Sequence, residues 1–166
     1  MIKIFFLLII ATLATYSIGI EKNAENNLYS AYREYAANFK KKSKFSDAEL
    51  KQLFSYLSPR YQDYLLSGRE RSPEILADII NKTLDLPNYY AAEVAHYELY
   101  NKDSSCLLIN ALKSDNSKVA LYIKYVRNNN WLIDNVIIEF INEHDNFLEK
   151  PICDSWKLQQ KRMGVF

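Results

Sequence analysis

Glycine is almost missing from this chain: three residues in 166. That excludes the glycine-rich turn with which many proteins cradle phosphate. No serine or cysteine sits in a nucleophile motif. Histidine is as scarce, limited to His96 and His144. The one metal-like cluster, Glu143-His144-Asp145, consists of adjacent residues that do not converge easily on one ion, and His96 is far away in sequence. It reads as a solvated loop, and neither a metal nor a cofactor is expected. An excess of charge of either sign is lacking too, with a formal net charge of +1. The chain therefore offers no electrostatic footprint for nucleic acid or anionic lipid. Its one basic run, KKKSK over Lys40–Lys44, reads as a connector between helices.

Long apolar runs are absent except at the start. Lys3 forms a short basic region, Ile4–Leu13 is apolar, and Ser17 and Gly19 supply small residues where a signal peptidase cuts. Thr12, Thr15 and Tyr16 break the run well short of the roughly 20 residues that a membrane span needs. No cysteine follows it to carry a lipid. Residues 1–19 are thus expected to be a signal peptide, leaving an exported, periplasmic or secreted domain with no membrane span. About 147 residues then remain, enough to bury a core.

Cysteine is limited to Cys106 and Cys153. In an oxidising compartment an isolated pair is more often bridged than free, and two buried thiols are the alternative. Aromatic residues, by contrast, abound: thirteen tyrosines and eight phenylalanines. They suggest a sugar- or ligand-binding surface, but AT-rich codons, which also encode Asn, Lys and Ile, account for them equally well.

Helix signals fill the first half. Leu28, Tyr32, Tyr35 and Phe39 form one apolar stripe at spacings of three and four. Ser46 and Glu49 make a capping box, and Phe45 and Leu50 stand where a hydrophobic staple would. Leu50, Leu53, Phe54 and Leu57 follow as its buried face. Two Ser-Pro steps, Ser58-Pro59 and Ser72-Pro73, each place serine at an N-cap and proline at the first helical position. The second opens a helix with Ile75, Leu76, Ile79, Ile80 and Leu84 on its buried side, ended by Pro87.

After Asn88 the period changes to two. Strands are expected over Glu93–Asn101, Ser105–Leu112, Lys118–Asn128 and Trp131–Asn142, joined by the turn formers NKDS, KSDNS and NNN. Short connectors imply antiparallel hairpins. Val119, Leu121, Ile123 and Tyr125 line one wholly apolar face. The helices can cover one side of the sheet; the tail or another subunit is expected on the other.

Helices followed by a four-stranded antiparallel meander define an α+β layout. With YLSPRYQDYLL and the closing hairpin VALYIKYVRNNNWLIDNVIIEF, the chain resembles the NTF2-like (cystatin-like α+β) superfamily over about Leu28–Asn142, in particular its exported bacterial members. The resemblance implies a domain over residues 20–142, a sheet curved around a cone-shaped pocket, and a homodimer through the outer sheet face. Residues 143–166 form a C-terminal extension outside the family pattern. Tyr32, Tyr35, Ile123, Tyr125 and Asp134 are the candidate pocket lining.

Enzymes of that superfamily place an acid or base in the cone, so Asp134 and His96 are the catalytic candidates, with Glu93 and Glu98 as possible partners. His96 reads on the face of Val94, Glu98 and Tyr100, where an edge-strand role is the simpler one. The setting of Asp134 depends on the turn. A two-residue turn points it at Val119, Leu121 and Ile123, desolvated and with a raised pKa. A three-residue loop over Asn128–Asn130 sets it across from Lys124 instead. A third option has it accept a backbone N–H where the strand bends. Structural roles take precedence over the catalytic one. The functional expectation is an exported, non-catalytic binding or accessory protein of the cell envelope, taking a small apolar ligand or a protein partner. The alternatives are a periplasmic immunity or inhibitor protein and a small enzyme with Asp134 or His96 as base.

Overall fold

The computed structural model describes residues 27–67, 72–102, 104–154 and 157–158; the expected signal peptide lies outside them. Among the described residues four helices come first: α1 (Leu28–Asn38), α2 (Asp47–Phe54), α3 (Pro59–Leu66) and α4 (Pro73–Leu84). A short 3-10 turn at Leu86–Tyr89 leads into four strands, β1 (Ala92–Leu99), β2 (Ser105–Leu112), β3 (Lys118–Asn128) and β4 (Asn130–Ile141). The α+β class is as expected, and the strand limits fall within two residues of those read from the turn formers.

Each helix starts on a side-chain cap. Asn27, Ser46, Ser58 and Ser72 accept the backbone N–H of Ser30, Glu49, Tyr61 and Ile75 in turn. The Ser46–Glu49 capping box is complete, and both Ser-Pro steps place proline in the first turn. Such caps satisfy N–H groups that the helix itself leaves orphaned. One face differs from expectation: Ile75 is 54% exposed, because Ala77, Ile80 and Leu84 turn α4 onto the core. Ile75 lies two residues from Ala77, about 200° around the helix.

The strands form a single antiparallel meander in the order β1-β2-β3-β4. Leu107, Ile109, Ala111, Val119, Leu121, Ile123 and Tyr125 face the helices and join Leu28, Tyr32, Tyr35, Leu57, Tyr61, Ile80 and Leu84 in the main core. The opposite face is covered by the chain's own C-terminal segment. Phe147, Leu148, Ile152 and Leu158 pack on Leu108, Ala120, Tyr122 and Ile141 in a second cluster. Asn110, on that face, donates through Nδ2 to the carbonyl of Leu148 at 2.7 Å, and Lys118 Nζ donates to the carbonyls of Glu143 and Asp145. A disulfide between Cys106 of β2 and Cys153 fixes the far end of this strap.

Two β-bulges interrupt the period-two pattern. One lies in β1 between Glu93 and Ala95, and the other in β4 opposite the Lys124–Tyr125 step. Each bulge adds one residue to its strand and changes which side chains share a face from there on. Asn129, at φ 61°, makes the β3–β4 turn in the left-handed region that asparagine tolerates.

Candidate functional site

The β3–β4 turn follows the three-residue reading at its tip: Arg127 pairs with Trp131, Val126 with Leu132 and Tyr125 with Ile133. Beyond the bulge, Lys124 pairs with Asn135 and Ile123 with Val136, the register of the two-residue reading. Asp134 is the residue left over. It neither stands across from Lys124 nor points into the apolar face around Leu121.

Instead Asp134 meets the start of α3. Ser58 Oγ donates to its Oδ1 at 2.7 Å, Arg60 Nε to Oδ1 at 3.0 Å and Arg60 Nη2 to Oδ2 at 2.7 Å. Arg60 Nη2 also reaches the Asp134 carbonyl at 2.7 Å. Next to it, Leu57 and Ile133 form a parallel bridge: Ser58 N–H donates to the Ile133 carbonyl and Ile133 N–H to that of Tyr56. The bulge at Asp134 is thus the point where the α2–α3 connector is stitched to the edge of the sheet.

Burial pushes the Asp134 carboxyl up, but the hydrogen bonds from Arg60 and Ser58 and the guanidinium charge outweigh it and hold the group below its ordinary value. This corrects the raised pKa expected for an apolar setting. A carboxylate with a lowered pKa and three donors on its oxygens is a weak proton acceptor. Its geometry is that of a bidentate structural ion pair. Arg60 was not among the residues read from the sequence, yet a signal was present. It stands in the first turn of α3, where a cation opposes the helix dipole and calls for a compensating anion.

His96 is likewise set by a bulge. With Val94 extruded and 53% exposed, Glu93 shares the face of His96, and their Oε1 and Nδ1 lie 2.8 Å apart. The imidazole stacks on Tyr29 of α1, with centroids 3.7 Å apart and planes within 7°. Tyr29 OH donates to Glu93 Oε2 at 2.7 Å. Glu98 accepts the N–H of Tyr29 at 3.0 Å and that of Leu28 at 3.4 Å, and Tyr100 OH donates to it as well. Burial and Glu98 together push Tyr100 up to about 12. The two acidic residues therefore dock α1 on β1, and His96 sits on the exposed rim of that seam.

The remaining pocket candidates lie inside the core. Tyr32, Tyr35, Ile123 and Tyr125 are exposed by 1% or less. Tyr32 and Tyr90 share a hydrogen bond of 2.8 Å between hydroxyls, and Tyr35 donates to the Leu84 carbonyl. Tyr125 OH and Ser105 Oγ, on directly paired residues, are buried without a hydrogen-bond partner among the described residues. Tyr35 also touches a cleft of about 300 Å³ between α1 and α2, whose wall includes the Lys42–Glu49 ion pair.

A cavity of about 630 Å³ lies on the other side of the sheet, beneath the strap. Leu99, Cys106 and Lys124 contribute from the sheet, and Phe147, Pro151, Ile152 and Cys153 from the strap. The disulfide joins the two walls at one end. Lys150 and Lys157 stand exposed on the strap side, and Lys157 pairs with Asp154 at 2.8 Å. Among the described residues no group of three or more His, Cys, Asp or Glu is placed to hold a metal, and no helix is long and apolar enough to cross a membrane.

Comparison with known proteins finds no family model, no curated protein and no solved structure that matches this chain.

Proposed function

We propose that this protein is an exported, non-catalytic binding protein of the cell envelope, with an NTF2-like fold, and that it holds its ligand on the outer sheet face beneath the disulfide-tethered strap. The observation that carries the reading is the cavity of about 630 Å³ there, a size typical of small-molecule sites. The helix-side candidates Tyr32, Tyr35, Ile123 and Tyr125 are occupied as core, and Asp134 is engaged by Arg60 and Ser58. Support for export comes from the disulfide, which persists in oxidising compartments. Support for the fold family comes from helices on one face of a four-stranded meander, though the strap on the other face departs from the family pattern.

The test is to incubate the folded, oxidised protein with envelope extract, recover it, and identify retained small molecules by mass spectrometry after denaturation. The same compound should be retained at near one-to-one occupancy by the wild type and lost in Ser104→Trp, which places an indole in the cavity wall. Equal retention by the two proteins, or none by the wild type, removes the groove as the binding site.

A further inference from the structure

Lys124 sets the chemistry of that groove. It is a half-buried lysine on the outer face of β3, paired in register with Cys106 and so next to the disulfide. No hydrogen bond or ion pair engages it among the described residues. The two carboxylates that feel its charge are already bonded to other cations: Asp134 to Arg60 and Asp154 to Lys157. An ammonium partly withdrawn from water gains most from an anion that brings its own hydrogen-bond acceptors. Around it Leu99, Phe147, Pro151 and Ile152 give the cavity one apolar wall, while Ser104, Glu149, Lys150, Asp154 and Lys157 line the rest with polar groups.

Resting on the groove assigned above, we infer that the ligand is a single-chain amphiphile with an anionic head. The head sits on Lys124 and the chain runs along the apolar wall under the strap. Carboxylate and phosphate heads share this chemistry, and a cavity of about 630 Å³ holds more than a head group. Exposed Lys150 lies on the strap and is the control cation, because its ammonium remains in water and offers little discrimination.

The experiment is calorimetric titration of the oxidised full-length mature protein with decanoate, decyl phosphate and decanol, each below its aggregation limit. The wild type should bind one or both anions at least ten-fold more tightly than the alcohol, as expected for a charge-assisted hydrogen bond. Lys124→Gln should erase that preference while leaving decanol binding unchanged. Lys124→Arg should restore it, and Lys150→Gln should leave it intact. Far-ultraviolet circular dichroism confirms that each variant is folded.

Equal affinity for the alcohol and both anions, abolished by Ser104→Trp, overturns the anionic head and leaves the groove standing. A preference that survives Lys124→Gln but falls with Lys150→Gln overturns the assignment to Lys124. Binding untouched by Ser104→Trp overturns both the ligand class and the groove. No binding of any of the three overturns the amphiphile, while the extract experiment still decides on the groove by itself.

Discussion

Arg60 and Asp134, 74 residues apart, meet in a two-toothed contact between the first turn of α3 and the bulge of β4. The carboxylate is buried and the arginine side chain is 67% exposed. The pair is therefore lopsided. Removing the arginine strands a buried charge, whereas removing the aspartate releases a cation into water.

Arg60→Met should lower stability at neutral pH by about 1–2 kcal/mol, a range discounted for the exposed arginine. The sign with pH is fixed by the lowered carboxyl. Its folded-state value lies below the unfolded one, so the pair stabilises the protein above the ordinary aspartate range, near pH 4. The contribution is lost as the pH falls through the folded-state value. Urea unfolding of wild type and variant should accordingly differ at pH 7 and converge in acid. A constant gap across pH would remove the ion pair as its cause.

Reduction of the Cys106–Cys153 bridge should cost up to about 4 kcal/mol on the chain-entropy model for a 47-residue separation. The strap should loosen first, because its apolar contacts are few and the bridge holds its far end. Limited proteolysis of Cys106→Ser/Cys153→Ser should cut within residues 143–154 while the meander stays intact. Unchanged protection of that segment would mean that Phe147, Leu148 and Ile152 hold it unaided.

Alkaline pH should unfold the protein. Burial raises the pKa of Tyr32, Tyr35, Tyr61 and Tyr125. For a neutral acid this means that the folded state keeps the proton. Stability is intact below the unfolded value near pH 10 and falls above it, by roughly 1 kcal/mol per such tyrosine between pH 10 and 11. Absorbance at 295 nm should show exposed tyrosines titrating first and the buried set appearing with the loss of circular dichroism. Smooth titration of every tyrosine in a folded protein would contradict this.

At the β3–β4 turn, Asn129→Ala should destabilise by about 1 kcal/mol, because its φ of 61° is strained for a residue with a β-carbon and no local polar contact. Asn129→Gly should be neutral or slightly stabilising. Thermal unfolding of the two variants measures the difference directly, and equal melting temperatures would show that the turn adapts.

Much of this architecture was legible. Ser46, Ser58 and Ser72 mark helix starts through chemistry confined to one turn, and NKDS, KSDNS and NNN mark strand ends in the same local way. The bridge between Cys106 and Cys153 was one of the two readings open to an isolated pair, the other being two buried thiols. The settings of Asp134 and His96 were not legible, for one shared reason. Both depend on a bulge, and a bulge shifts parity without altering the apolar alternation on either side of it. Arg60 escaped notice because its partner lies 74 residues away. The groove was hidden because the strap has no periodicity; its apolar residues are scattered among charges, and only the sheet beneath gives them an address.

The strap also sets an order of events. The meander from Ala92 to Ile141 is built from hairpins between neighbouring strands, so it can pair before residues 143–154 fold back to cover it. Until they arrive, Leu108, Ala120 and Tyr122 face water, and the newborn sheet is a sticky surface. A chain cut short after Ile141 would have its helix side finished and its back bare. Residues 143–154 are therefore a lid that arrives late, and the sulfur bridge is the latch that closes it.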